Sequence, residues 1–166
     1  ILHPDRLLES CGLRTQRRSG PGGQHRNKTS SGAFLHDPPT DTTAEATERR
    51  SQADNRKVAL ERLRFRLAVE VRSPSPIDGH ELSSEEEKLR KQYQGQSLKI
   101  SDRNSDNPAV LALLLNDLHA CGGQPSAVGP VWQTSTSALV RLIKSHPSAF
   151  VFLNQIRQHH DRPPLR

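Results

Sequence analysis

The sequence predicts an α+β protein, in which a small domain with a short antiparallel sheet and a long basic helix precedes a linker and a small all-α, helix-turn-helix-like module. Three observations support this prediction. Short β-type segments lie near the N-terminus, one long stretch after them repeats apolar residues at helical spacing, and the last third consists of short helical patterns. We therefore expect a domain at 1–72, a polar, acidic linker at 73–107 and a helical module at 108–166.

Composition limits the function classes. Only 32% of the 166 residues are hydrophobic, so we expect a small core with accessory segments rather than one thick core. No apolar run approaches the roughly 20 residues of a membrane-spanning helix, and we expect no membrane partner. Two cysteines, Cys11 and Cys121, provide neither a disulfide framework nor zinc-ligand spacing, so we expect a cytoplasmic protein without a metal or other cofactor. The net charge of +6 favours a polyanionic partner such as nucleic acid. Because the chain begins at Ile1 and contains no Met, we expect that a few native N-terminal residues are missing.

The first 72 residues alternate between short elements and one long helix. We predict a helix at 4–11, strands at 13–17, 33–36 and 42–46, and a helix from 51 to about 71. Five cations occupy much of that long helix outside its apolar positions: Arg56, Lys57, Arg62, Arg64 and Arg66. They form either a solvated face or a stripe that faces phosphates, and the pattern alone leaves both interpretations open.

The remaining 94 residues are predicted to be a linker with one short helix, followed by a helical module. Residues 73–107 carry a net charge of −2, with one short helix at 84–93 capped by Ser83 or Ser84. Further helices are predicted at 109–120, 126–132, 135–144 and 148–159, arranged as a helix-turn-helix or as a plain bundle. A Gly-Gly-Gln sequence at 122–124 comes directly after an apolar helix, and we interpret its glycines as a helix C-cap.

A glycine-rich loop at 19–28 is the segment that indicates chemistry. It reads Ser-Gly-Pro-Gly-Gly-Gln-His-Arg-Asn-Lys and does not match the phosphate-binding glycine motifs. Gln24 does not titrate, but it offers a backbone N–H, an amide donor and an amide acceptor. Such a residue can orient a water molecule and stabilise an oxyanion, while the partner supplies the general base.

Residues 17–28 resemble the GGQ loop of class I peptide chain release factors and of their codon-independent relatives in ribosome rescue. The resemblance continues through Leu35-His36, Pro39-Thr40, 48–52 and Asn55-Arg56, and so covers about the first 70 residues. The helical residues from 108 onward are similar to a small group of bacterial release-factor-like proteins.

This resemblance implies a GGQ domain that hydrolyses the ester of peptidyl-tRNA in the peptidyl transferase centre of the large ribosomal subunit. Gln24 would be the catalytic residue, and Gly22 and Gly23 would hold its conformation. The ribosome and peptidyl-tRNA would be the partners of a protein that is monomeric off the ribosome. Residues expected to contact ribosomal RNA are Arg17, Arg18, Arg26, Asn27, Lys28, Arg50, Arg56, Lys57, Arg141 and Lys144.

Two departures from the family pattern bear on function. The turn at 39–42 reads Pro-Thr-Asp-Thr, so we expect a different hairpin geometry there. There is also no room for the large codon-reading domain of release factors, and a nearly complete chain would therefore not read stop codons. We expect the helical module to contact RNA through Arg141, Lys144 and Arg157 instead of a basic tail. The alternative is a non-hydrolytic protein that binds the ribosome or assembles its large subunit.

Overall fold

A computed structural model describes residues 3–16 and 31–166, and it divides the chain into two compact units. The N-terminal unit ends at Leu67, and the C-terminal unit comprises Ala68–Arg166. The boundary lies within a continuous helix, five residues before the domain end expected at 72. The predicted linker at 73–107 belongs to the C-terminal unit.

The N-terminal unit is a three-stranded sheet with two helices. The antiparallel strands are in the order β1-β2-β3, as the α+β prediction requires. Each predicted element of this part is confirmed to within two residues. Its elements are α1 (Pro4–Ser10), β1 (Gly12–Gln16), β2 (Gly32–Asp37), β3 (Thr42–Ala46) and α2 (Gln52–Glu70), whose last three residues belong to the C-terminal unit.

One face of the sheet packs against the helices. Ala33 and Leu35 of β2 are paired with Ala46 and Ala44 of β3, and all four side chains are buried. The same cluster contains Leu7 and Cys11 at α1 and Ala59, Leu60 and Leu63 of α2. The period of α2 therefore buries one helical face, as its apolar spacing predicts.

Arginines of α2 bind the open edge of this sheet. β3 is an edge strand, whose outward carbonyl groups have no partner strand. Arg62 donates to the carbonyl of Glu45 at 2.7 Å, and Arg66 donates to that of Thr43 at 2.6 Å. Arg62 also forms an ion pair with Glu48 at 2.5 Å. Arg64 is buried as well, so three members of the predicted stripe are part of the fold.

The C-terminal unit is helical. A short 3-10 helix (Pro76–Asp78) precedes five α-helices, whose predicted positions are confirmed to within two residues. They are α3 (Ser84–Tyr93), α4 (Asn107–Ala120), α5 (Pro125–Val131), α6 (Thr136–Lys144) and α7 (Pro147–His159). None of the helices within the described ranges has the length and apolarity needed to span a bilayer.

Caps explain where these helices begin and end. Ser83 forms a capping box with Glu86 at the start of α3, because each side chain accepts the backbone N–H of the other residue. Gly122 and Gly123 have φ values of +58° and +71° after α4, and the Gly123 N–H donates to the Leu118 carbonyl at 2.7 Å. The second Gly-Gly-Gln sequence therefore is a helix cap, as predicted.

A buried polar cluster joins residues 73–93 to α4. The fully buried carboxylate of Asp117 accepts from Arg90 at 2.7 Å, from Ser75 at 2.6 Å and from the indole of Trp132 at 2.6 Å. Nearby, Arg72 donates to Asn116 at 3.0 Å, and burial lowers the pKa of its guanidinium to about 10. These bonds make the predicted linker part of the core of the C-terminal unit.

Candidate catalytic loop and its supports

The predicted catalytic residues Gln24, Gly22 and Gly23 lie outside the described residues. So do five of the residues expected to contact RNA, namely Arg17, Arg18, Arg26, Asn27 and Lys28. The structure describes both attachment points of this connection. Gln16, the last residue of β1, is paired with Gly32, the first residue of β2. The last residue of β1 and the first residue of β2 therefore lie side by side at one end of this strand pair.

Asn55 fastens the second attachment point to the start of α2. This residue is fully buried. Its amide nitrogen donates to the carbonyl of Ser31 at 2.6 Å and to that of Arg49 at 2.9 Å. Its amide oxygen accepts the backbone N–H of Arg49 at 2.9 Å. One side chain thus joins the end of the candidate loop to the residues that precede the helix.

Ser51 determines where α2 begins. Its hydroxyl accepts the N–H of Asp54 at 3.3 Å, and its carbonyl accepts the N–H of Asn55 at 3.1 Å. This cap sets the position of Asn55 along the helix, and so its reach to Ser31. Ser51 and Asn55 lie in the segment that resembles the release factors.

Exposed cations surround this junction. Arg50, Arg56 and Lys57 are all exposed, and no side-chain hydrogen bond or ion pair joins them to another residue of the described ranges. Arg49, which was not among the predicted contacts, is also exposed. The junction therefore presents four positive charges to solvent, a charge distribution that suits phosphate groups.

Two acidic residues lie beside the junction: Asp54 is exposed in the first turn of α2, and Glu48 is already engaged. Backbone N–H groups of Thr47 and of Glu48 itself, together with a weaker effect of Arg62, lower the pKa of the Glu48 carboxyl. A carboxylate held in its charged form by these donors is a weak general base.

On the other face of the sheet, an open groove of about 780 Å³ is lined by residues such as Arg14, Phe34 and His36. The His36 ring is bonded to Asp41 at 2.8 Å.

The C-terminal unit places the remaining predicted contacts differently. Arg141 is exposed and donates to the carbonyl of Ser97 at 3.0 Å. Lys144 donates to the main-chain oxygen of Arg166, the last residue of the sequence, and lies 5.4 Å from the ring centre of Phe150. Arg157 is half-buried and donates to the carbonyls of Gly123 at 2.7 Å and Pro163 at 2.8 Å. Arg157 holds the C-terminal segment against the helix cap instead of facing solvent.

Within the ranges that the structure covers, no group of three or more His, Cys, Asp or Glu side chains could hold a metal ion. Burial raises the pKa of both cysteine thiols, Cys11 and Cys121. Neither thiol is therefore activated as a nucleophile.

Comparison with known proteins identifies the family. The family model named RF-1 domain matches residues 9–107, which include the glycine loop, the sheet, α2 and α3. The chain therefore belongs to the RF-1 domain family and is a class I release factor-like protein.

Individual relatives match a shorter stretch. Peptide chain release factor 1 of Symbiobacterium thermophilum is 37% identical over 87 residues, which are 52% of this chain and 22% of the relative. Peptide chain release factor 2 of Acidovorax sp. (strain JS42) is 51% identical over 53 residues, 32% of this chain and 14% of the relative. The mitochondrial peptide chain release factor 1-like protein of Rattus norvegicus is 45% identical over 53 residues, with the same coverage. The chain thus spans less than a quarter of the length of these curated relatives.

Proposed function

We propose that this protein hydrolyses the ester bond of peptidyl-tRNA on stalled ribosomes without reading a codon. The observation that carries the proposal is the Gly22-Gly23-Gln24 sequence within the 9–107 family match. It lies on a connection whose attachment to the sheet is fixed by the buried Asn55. The cations at the start of α2 support the same proposal, because they would meet RNA phosphates around that connection.

The proposed chemistry depends on positioning. The backbone N–H of Gln24 would stabilise the charge that develops on the ester oxygen, and its side chain would place the attacking water. One well-aimed donor contributes about 2.7–4 kcal/mol, and near-attack geometry about 7–11 kcal/mol. The general base would come from the ribosome and its tRNA, in keeping with the engaged state of Glu48. The protein would act in the cytoplasm, as a monomer before it meets the ribosome.

The residues after the family match belong to the same helical unit as residues 73–93. Residues 108–166 form α4 to α7, which pack with residues 73–93 around Asp117 rather than as a separate extension. We propose that this unit binds the ribosome and does not inspect mRNA. Activity on a truncated mRNA, equal to or above that on a stop codon, is the expected result.

Gly23→Ala tests the catalytic loop. A Cβ at this position should prevent the backbone conformation that presents the Gln24 N–H, and peptide release should fall by about 100- to 1000-fold. Release is measured as labelled peptide freed from ribosomes that hold peptidyl-tRNA, with either a truncated mRNA or a stop codon in the A site. Ribosome binding, measured by co-sedimentation, should be unchanged.

The second Gly-Gly-Gln sequence provides the matched control. Gln124→Ala alters this second sequence in a helix cap of the C-terminal unit, and release should stay at the wild-type rate. Wild-type binding without any release would favour the alternative, a non-hydrolytic protein of the large subunit. A Gly23→Ala variant that releases peptide normally would show that the loop is not the active element.

A further inference from the structure

A surface of the C-terminal unit carries three cations on two segments that contain no acidic side chains. All 18 acidic residues lie outside 118–160, and the segment 94–101 contains none. Three cations face solvent where these two segments meet: Lys99, Arg141 and Lys144. We refer to them as the cationic ridge.

Contacts place these side chains on one face. The guanidinium of Arg141 lies 3.0 Å from the carbonyl of Ser97, and Lys99 is two residues further, within about 7 Å of chain. Arg141 and Lys144 are three residues apart on α6 and therefore share a side of the helix. Ser137, one turn before Arg141, lies on that side as well and bonds to Ser135 at 3.1 Å.

The partners of the ridge orient its cations but leave them charged. Arg141 donates to the carbonyl oxygen of Ser97, which bears no net charge, whereas Lys144 donates to the main-chain oxygen of Arg166, the last residue of the sequence. Two carboxylates lie near the ridge in fold or sequence, Asp117 and Asp102, and the second is three residues from Lys99. Asp117 is buried against Arg90, and Asp102 acts on His146, where it opposes the lowering of that pKa by burial.

We infer that the cationic ridge binds the sugar-phosphate backbone of RNA. Ser97, Ser135 and Ser137 are exposed near Arg141 in contact or in sequence, and hydroxyl groups of this kind contact phosphates and ribose. A membrane surface fits less well, because Val151 is the single large apolar side chain among the described residues of this unit that is markedly exposed, at 57%. The inference deepens the proposed function and rests on it for the nature of the RNA, which would be ribosomal.

Salt dependence tests the inference in the full-length chain. The probe is a single-stranded transcript of large-subunit ribosomal RNA, and its dissociation constant is measured over a range of salt concentrations. Each phosphate contact contributes about 0.7 to the slope of log K against log salt. Lys99→Gln/Arg141→Gln should therefore lower the slope by about 1.4.

Two further variants distinguish an effect of the ridge from an effect of the protein's total charge. Lys88→Gln/Lys91→Gln also removes two positive charges, but from α3. Because acidic residues surround these two lysines, the variant should leave the slope of log K against log salt unchanged. Lys99→Arg/Arg141→Lys keeps the charges and should restore the wild-type slope. Equal losses in both Gln variants, or no loss in either, would overturn the inference.

The same variants distinguish an RNA partner from a membrane partner, and they separate failure of this inference from failure of the proposed function. Binding to phosphatidylglycerol vesicles that depends on Lys99 and Arg141, with an unchanged RNA slope, would assign the ridge to a membrane and overturn the inference. Peptide release is measured separately. A wild type that binds RNA through the ridge but releases no peptide would contradict the proposed function alone.

Discussion

Asn55 is the residue that fastens Ser31, the described residue just before β2, to the start of α2. Its amide group makes three hydrogen bonds, to Ser31 and to both backbone groups of Arg49. Asn55→Asp keeps the size and the acceptor but removes both donors, so that a carboxylate oxygen faces two carbonyl oxygens. We expect a loss of about 2–3 kcal/mol in the stability of the N-terminal unit, since buried polar groups lose their partners. Hydrogen exchange of the β2 and β3 amides measures this loss.

The position of the loop should change along with this stability. If Asn55 positions the connection, Asn55→Asp lowers the rate of peptide release on saturating ribosomes more than it weakens ribosome binding. Ala53→Glu introduces one negative charge on the same helical turn at an exposed site and should leave the β-strand amides protected. Normal release by Asn55→Asp at a temperature where the fold is intact would contradict the positioning role.

Sequence patterns predict which residues matter at such positions, but they do not predict which contacts those residues make. The motif at 48–56 singled out Asn55, yet its bond to Ser31 joins residues 24 positions apart and needs the folded sheet. The assignment of Arg157 to RNA failed to anticipate its bonds to Gly123 and Pro163 for the same reason. The roles of Gln24 and its glycines remain predictions.

At the scale of elements, periodicity was a reliable guide. The apolar spacing in α2 predicted both the helix and its buried side. Spacing could not tell which arginines of α2 remain solvated. Arg62 and Arg66 satisfy the open carbonyl edge of β3, whereas Arg56 and Lys57, one to three turns earlier, stay exposed.

The ion pair between α3 and α4 gives a prediction at this scale. Asp117→Ala leaves the buried Arg90 guanidinium uncompensated, and we expect a loss of about 3–5 kcal/mol in the free energy of unfolding. Urea unfolding monitored by fluorescence measures it, because the single tryptophan, Trp132, packs against both residues.

A double variant tests whether the loss comes from an unpaired charge. Arg90→Met/Asp117→Leu replaces both partners by apolar groups and should be more stable than Asp117→Ala. Glu81→Ala, at an exposed position of the same unit, should change the unfolding free energy by less than about 0.5 kcal/mol. A double variant as unstable as the sum of its single variants would argue against coupling.

At the scale of the whole molecule, composition alone was an incomplete guide to the division of the chain. The acidic residues and prolines of 73–107 suggested a solvated linker. The deciding residues are Ser75 and Arg90, which are 42 and 27 positions from Asp117 and meet it only in the folded unit. A local pattern of charge does not contain that information.

The structure therefore predicts how the chain responds when residues 108–166 are deleted. An isolated ten-residue helix is marginal in water, and α3 would lose Asp117 while Arg72 would lose Asn116. In the full chain we expect the α3 amides to be protected from hydrogen exchange. In a chain that ends at Asn107 they should exchange rapidly, and trypsin should cleave after Arg90 or Lys91. Equal protection in both chains would mean that the capping box alone sustains α3 and that 73–107 is independent of the helices after it. If α3 stays protected, loss of ribosome binding on this deletion can be assigned to the removed RNA-binding surface. If α3 unfolds as well, the exposed substitutions Lys99→Gln and Arg141→Gln are the more selective test of that surface.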